Sequence, residues 1–233
     1  MPTPSKPWFV RYEFTLPGKE PATFTVELDG KTLANLAPHP SSPPEWTKLE
    51  FQQCPNCPLK PKDAPHCPVA LQLSHVVNEF ASVFSYERVA VKVTVPERTY
   101  VVGDASVQKA LSSLLGVYMV TAGCPVLNQL RPMVRLHLPF AGELETVARS
   151  TSMYLLKQYF VMKRGGKPDW SMEGLAETYR QTGQINRAFA ERLRAATTKD
   201  ANVNALIILH SFAQAVPDTI EEELEELEFL FRQ

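Results

Sequence analysis

The residues of this chain best suited to chemistry are its four cysteines, Cys54, Cys57, Cys67 and Cys124, each followed directly by proline. They stand in the strings Cys54-Pro-Asn-Cys57-Pro-Leu, His66-Cys67-Pro68 and Gly123-Cys124-Pro125. Four soft ligands are what a tetrathiolate zinc ion or a [4Fe–4S] cluster requires. The C-x2-C pair lets two sulfurs from one turn reach one metal, whereas Cys67 and Cys124 come in singly. Pro68 and Pro125 suit the first position of a helix, which predicts Cys67 and Cys124 as N-caps facing the positive end of a helix dipole.

The type of metal is constrained less tightly. A zinc knuckle places glycine after its second cysteine, but Pro58 has no amide and a fixed negative φ, and a second C-x2-C is missing. Dispersed Cys-Pro ligands suit iron–sulfur better. The sequence therefore predicts a [4Fe–4S] cluster on Cys54, Cys57, Cys67 and Cys124, in an electron-transfer or sensing role. The alternative is a structural zinc on the same thiolates, bracing a non-catalytic interaction or scaffold protein. A site without metal is the third reading, and within it a thiol-redox use of Cys54 and Cys57 fits badly with Pro58.

Other constellations are weaker. His66 abuts Cys67 and could replace one sulfur. His75, on the helix begun at Cys67, reads as a partly buried, hydrogen-bonded residue, and His210, within an apolar run, reads as core. His137 shares the segment 131–140 with Arg131 and Arg135, a stretch that either lines a pocket or simply crosses the fold. No Glu-x-x-His pair, Gly-x-Gly-x-x-Gly, Walker A sequence or Gly-x-Ser-x-Gly elbow is present. Di-iron, dinucleotide, phosphate-loop and α/β-hydrolase chemistry are thus unsupported. No catalytic residue is assigned, and whether the chain is an enzyme stays open.

The elements that must position these residues follow from periodicity. A Pro-rich arm over 1–10 leads into alternating runs at 9–16 and 22–28, an antiparallel hairpin around a Pro-Gly turn. Four prolines make 37–46 a loop, and 47–52 reads as a short strand. A helix is predicted over 69–84 and a strand over 88–95, with 99–102 as its hairpin partner. A buried helix spans 105–122, and a short one follows Cys124-Pro125. Proline makes 131–140 an irregular crossing. Helices are predicted at about 141–163, 171–197, 199–215 and 218–231, with Asp200 and Asp218 as N-caps and Pro217 separating the last two. The fold class is α+β: a small antiparallel sheet with one helix, packed against a C-terminal helical bundle. It divides into a β-rich part (1–103), holding the Pro-rich loop and cysteine segment, and a helical part (104–233), together one compact unit.

Composition narrows the partners. The 233 residues, 44% hydrophobic, are enough to bury a sizeable core. With 24 basic and 25 acidic residues there is no global attraction for nucleic acid. No apolar run is long enough for a membrane span, and no apolar signal region opens the chain. A reducing, cytoplasmic setting is expected, where thiols stay free or bind metal. Residues 218–233 hold seven acids, Glu223 among them, against Arg232 alone. Their apolar stripe, Ile220, Leu224, Leu227 and Phe231, predicts docking on the bundle. The alternatives are a homodimer seam or an acidic C-terminal helix that binds an unknown protein partner.

From Glu45-Trp46-Thr47 through the Cys-Pro strings to Arg131-Pro-Met and His137-Leu-Pro-Phe, the chain resembles a bacterial domain family of unknown function. The resemblance covers nearly the whole chain, and the Cys-Pro strings and His-Leu-Pro-Phe are its most specific parts. It implies a bacterial, cytoplasmic protein and no known activity, so no catalytic residue carries over.

Overall fold

The computed structural model describes residues 7–222 and 224–232. Residues 1–6 of the expected arm and Glu223 lie outside the described residues. The arm ends early, because Trp8–Val10 already belong to the first strand. Strands β1 (Trp8–Thr15), β2 (Ala22–Leu28), β3 (Arg88–Val95) and β4 (Arg98–Ser106) form one antiparallel sheet in the order β2-β1-β3-β4. Its period-2 alternation turns Trp8, Val10, Tyr12 and Phe14 of β1, and Val89, Val91, Val93 and Val95 of β3, to one buried face.

That face is covered by helix α1 (Pro68–Glu79) and helix α2 (Val107–Thr121). Phe80, just past α1, packs on Phe14 and Phe24, with ring centroids 5.1 and 5.9 Å away. Helix α2 is buried almost all round, as its sequence predicts, because its other side meets the bundle. The bundle is α3 (Glu143–Lys163), α4 (Glu173–Ala196) and α5 (Ala201–Glu221), with α4 and α5 its most extensive pair. One apolar core runs from the sheet through α2 to Phe189, Leu193 and Leu206 of the bundle. The architecture is the α+β arrangement expected.

Local departures have physical causes. Residues 47–52 form no strand: a 3-10 turn (Glu45–Thr47) precedes a single antiparallel bridge between Lys48 and His66. A ten-residue 3-10 helix, Leu127–Leu136, replaces both the short helix and the irregular crossing, and it contains Pro132. Pro132 has no amide to give to the i→i+3 ladder, so the 3-10 helix carries one bond fewer at that position. Pro217 does not divide the last helices. Helix α5 runs straight through it, because Ala213, Val216 and Pro217 are buried there and packing overrides a cost of about 3 kcal/mol.

The tail is consequently shorter than expected, one turn of helix α6 (Glu225–Glu228). Leu227 is buried in a second core cluster, with Ile220 and Leu224 against it. Phe231 is 81% exposed and takes no part. Asp218 lies inside α5, whereas Asp200 does stand at its start. The Asp200 carboxylate accepts hydrogen bonds from the Ser85 amide (2.8 Å), the Ser85 hydroxyl (2.9 Å) and Asn204 Nδ2 (2.9 Å), tying α5 to the loop before β3.

Candidate metal centre

The cysteine segment is built from the loop upward. A left-handed Gln52 (φ 47°) turns the chain into Gln53-Cys54. A tight turn follows, in which the Cys57 amide donates to the Cys54 carbonyl at 3.0 Å, with Pro55 at a position where its fixed φ fits. Asn56 Nδ2 donates to the Gln181 carbonyl of α4 at 3.1 Å, pinning the turn to the bundle. Cys67 is fixed separately, its amide donating to the Thr47 carbonyl at 2.8 Å, and it is the N-cap of α1 with Pro68 next.

These placements bring the four thiols, far apart in the chain, into one neighbourhood. Burial first, and then the negative charges of Cys67, Cys57 and Cys124, push the Cys54 thiol up to about 12. Burial also raises Cys67 and Cys124, and both feel Cys57 as well. Against this, the Ala70 and Val69 amides at the start of α1 favour the Cys67 thiolate. The Leu127 and Val126 amides favour that of Cys124. Neither sulfur makes a formal cap bond, and Val126, not Cys124, is the N-cap of the 3-10 helix. The amide donors reach Cys124 all the same, through the turn after Gly123. The sulfurs share an electrostatic environment without forming a closed shell: among the described residues, no three His, Cys, Asp or Glu side chains converge on one ion position.

One buried charge beside the cysteines is not among the residues singled out from the sequence. Arg192 of α4 is only 2% exposed, and its guanidinium donates to the carbonyls of Trp46, Lys48 (2.7 Å) and Leu49 (3.2 Å). Its positive charge acts on Cys67, Cys54 and Cys57. The rings of Phe51 and Phe189 flank it at 5.8 and 6.0 Å. No carboxylate lies within ion-pair distance among the described residues. The signal was present in the sequence: Arg192 falls three residues after Phe189 and seven after Ile185, on the apolar face of α4.

A family model described as a domain of unknown function, DUF6901, matches residues 10–232. The chain belongs to DUF6901. No curated protein and no solved structure matches it.

Elsewhere in this DUF6901 chain, the histidines go separate ways. His66 Nδ1 sits 2.8 Å from the Thr47 hydroxyl, so its ring is tied to the bridge that holds Cys67. His75 Nε2 meets the Tyr118 hydroxyl at 3.0 Å, with its residue on the surface rather than buried. Of the three residues grouped at 131–140, His137 is in the wall of a cavity with α2, α3, α4 and α5, and Arg131 and Arg135 are outside that wall. Arg131 reaches the Val120 and Thr32 carbonyls, and Arg135 pairs with Glu97 at 2.7 Å over the Trp8 ring.

His137 Nε2 lies 2.5 Å from the Tyr12 hydroxyl, which is 2.7 Å from Ser113 Oγ. Tyr12→Phe should therefore leave His137 Nε2 without its partner, Ser113 Oγ keeping the Phe140 amide at 3.4 Å, and cost about 1–3 kcal/mol in urea unfolding. Burial first, and then the Arg149 charge, bring the His137 imidazole from 6.5 down to about 3. Between those values the unfolded chain binds a proton that the folded chain refuses, so stability falls as pH drops. This contribution is complete above 6.5 and declines toward 3, by at most about 1.4 kcal/mol per pH unit. Urea midpoints taken from neutral to mildly acidic pH should show a shallower decline for His137→Gln than for the parent.

Proposed function

We propose that Cys54, Cys57, Cys67 and Cys124 together hold a [4Fe–4S] cluster in an electron-transfer or sensing role. The observation that carries the reading is the pairing of four mutually interacting thiols with Arg192, a buried cation lacking a carboxylate partner among the described residues. Four thiolates on a metal centre leave net negative charge, and a fixed guanidinium beside them offsets part of it.

Four thiols in one neighbourhood are the donor type such a group takes. The amides after Cys67 and Cys124 aim at the two sulfurs that enter singly. Pro58 removes the amide that a zinc knuckle uses after its second cysteine. When bound, the cluster would supply a one-electron couple, tuned by hydrogen bonds to sulfur and by exposure. The chain's own residues do the rest. Arg192 sets the local charge, the Cys54–Cys57 turn fixes two ligands, and α1 holds the third.

All four cysteines are partly exposed, which suits exchange with a partner at the surface. A thiol–disulfide role has less support, because a Cys54 thiol at about 12 is the reverse of the low value a reactive dithiol needs. The proposal places the protein in a reducing cytoplasm, with a protein partner rather than nucleic acid. No helix among the described residues is long and apolar enough to cross a membrane. The acidic tail is the weaker candidate for partner or dimer contact, since its apolar stripe largely serves the molecule's own second core.

Anaerobic purification tests the reading. A brown protein absorbing at about 400 nm, with iron and acid-labile sulfide in equal amounts, is the expected result. A colourless protein with one zinc per chain would replace the cluster by a structural zinc. Freely titrating thiols without metal would remove the site altogether.

A further inference from the structure

A cavity of about 240 Å³ lies at the meeting of α2, the 3-10 helix, α3, α4 and α5. It is separate from the cysteine neighbourhood and owes nothing to the metal reading. Gly116 of α2 helps form it, its missing side chain leaving Leu209 as the facing wall. Most of the wall is apolar, with Val120, Met133, Phe140 and Phe212 around a few polar groups. Pockets of this make, apolar with sparse directed polar atoms, are the usual form of small-molecule sites.

The polar groups divide into satisfied and unsatisfied. Ser113, Tyr12 and His137 close on one another in a chain of short contacts. Arg149 does not close. Its Nη1 donates to the Leu136 carbonyl at 3.3 Å, while its Nε is buried with no partner among the described residues. No carboxylate of the chain pairs with it in that set. Asn186 Oδ1, also in the wall, is likewise buried and unpartnered. Lys109, at the rim, adds positive potential. Arg149 is half-buried and Glu145, one turn before it, acts on its charge without pairing with it; its unpartnered Nε would gain a charge-assisted hydrogen bond from an anion brought into the cavity.

We propose that this cavity binds a small monocarboxylic acid with an apolar body, its carboxylate on Arg149 and its hydrocarbon part against the α2 and α5 walls. Positive groups select the head, and the apolar lining selects the tail. The volume limits the ligand to a short chain or a single ring.

Sodium octanoate, with 1-octanol as its uncharged counterpart, tests this on the full chain. Binding is followed by calorimetry and by amide chemical-shift mapping. Octanoate should bind about tenfold or more tightly than octanol, the range of one charge-assisted bond. The shifted amides should cluster around Ser113, Arg149 and Asn186. Arg149→Gln should erase the preference for the acid while octanol binding persists, and Arg149→Lys should keep part of it. Should Arg149→Gln fail to fold, Gly116→Leu, which fills the cavity from α2, must abolish binding of both probes. Absence of octanoate binding to the folded parent overturns the proposal, as do shifts confined to other surfaces or an unchanged acid preference in Arg149→Gln.

Discussion

Cys124→Ser is expected to lose the bound metal and to unfold at markedly lower temperature than the parent. In the proposed centre Cys124 is the ligand that links the two halves of the chain: Cys54, Cys57 and Cys67 precede α2, and Cys124 follows it. A metal held by all four therefore ties the Pro-rich loop to the end of α2, and its binding energy becomes folding energy. With metal at a thousand times its dissociation constant, that linkage is about 4 kcal/mol. For a chain of this size the loss lowers Tm by roughly 8–16 °C. Without metal the change should be small, about 1 kcal/mol, because serine is close to cysteine in size and its hydroxyl can accept from the Leu127 and Val126 amides. The two expectations differ enough for one melting curve, with metal analysis of the same sample, to decide. A Cys124→Ser protein as stable as the parent would end the metal reading.

Arg192→Met should be as damaging by a different route. Methionine matches much of the volume and removes the donors, leaving the Trp46, Lys48 and Leu49 carbonyls without their shared partner. Each buried acceptor left unmet costs about 1–3 kcal/mol, and the chain connection from 45 to 49 loses its anchor on α4. A total of about 3–5 kcal/mol is expected in urea unfolding. Arg192→Lys should fall between, because an ammonium cannot serve all three carbonyls from a planar fork. The thiols provide a second readout. Without the guanidinium, any metal centre there carries uncompensated negative charge and should bind less tightly, even in a background stabilised enough to stay folded. A variant within about 1 kcal/mol of the parent would show that the loop is held by its apolar contacts instead.

Periodicity carried the sheet and most helices. The inward set Trp8, Val10, Tyr12 and Phe14 can be read directly from alternation, and the long helices over 143–163 and 173–196 lie within two residues of their expected bounds. Boundaries failed where proline was read as a stop. Pro132 and Pro217 both lie inside helices, and for Pro217 burial on the bundle outweighs the lost amide. The gathering of Cys54, Cys57, Cys67 and Cys124 into one neighbourhood was legible from their shared Cys-Pro frames. Arg192 was legible only as an oddity, a cation on an apolar helix face, and nothing local names the carbonyls it serves, which lie more than 140 positions away in sequence. The pairing of Tyr12 with His137 is equally invisible, since 125 residues separate them.

Residue type and order alone supplied the ingredients: four thiols in stiff Cys-Pro frames, an α+β order of elements, and a formal net charge of −1. Which charges meet was settled by packing. It set Arg192 beside the thiols and left the Arg149 Nε unpartnered at a cavity wall. Periodicity fixes the face on which a side chain lies, because that is a property of one helix or strand. The partner on the opposite face depends on how several elements pack, and burial then turns a modest interaction between charges into one that governs the site.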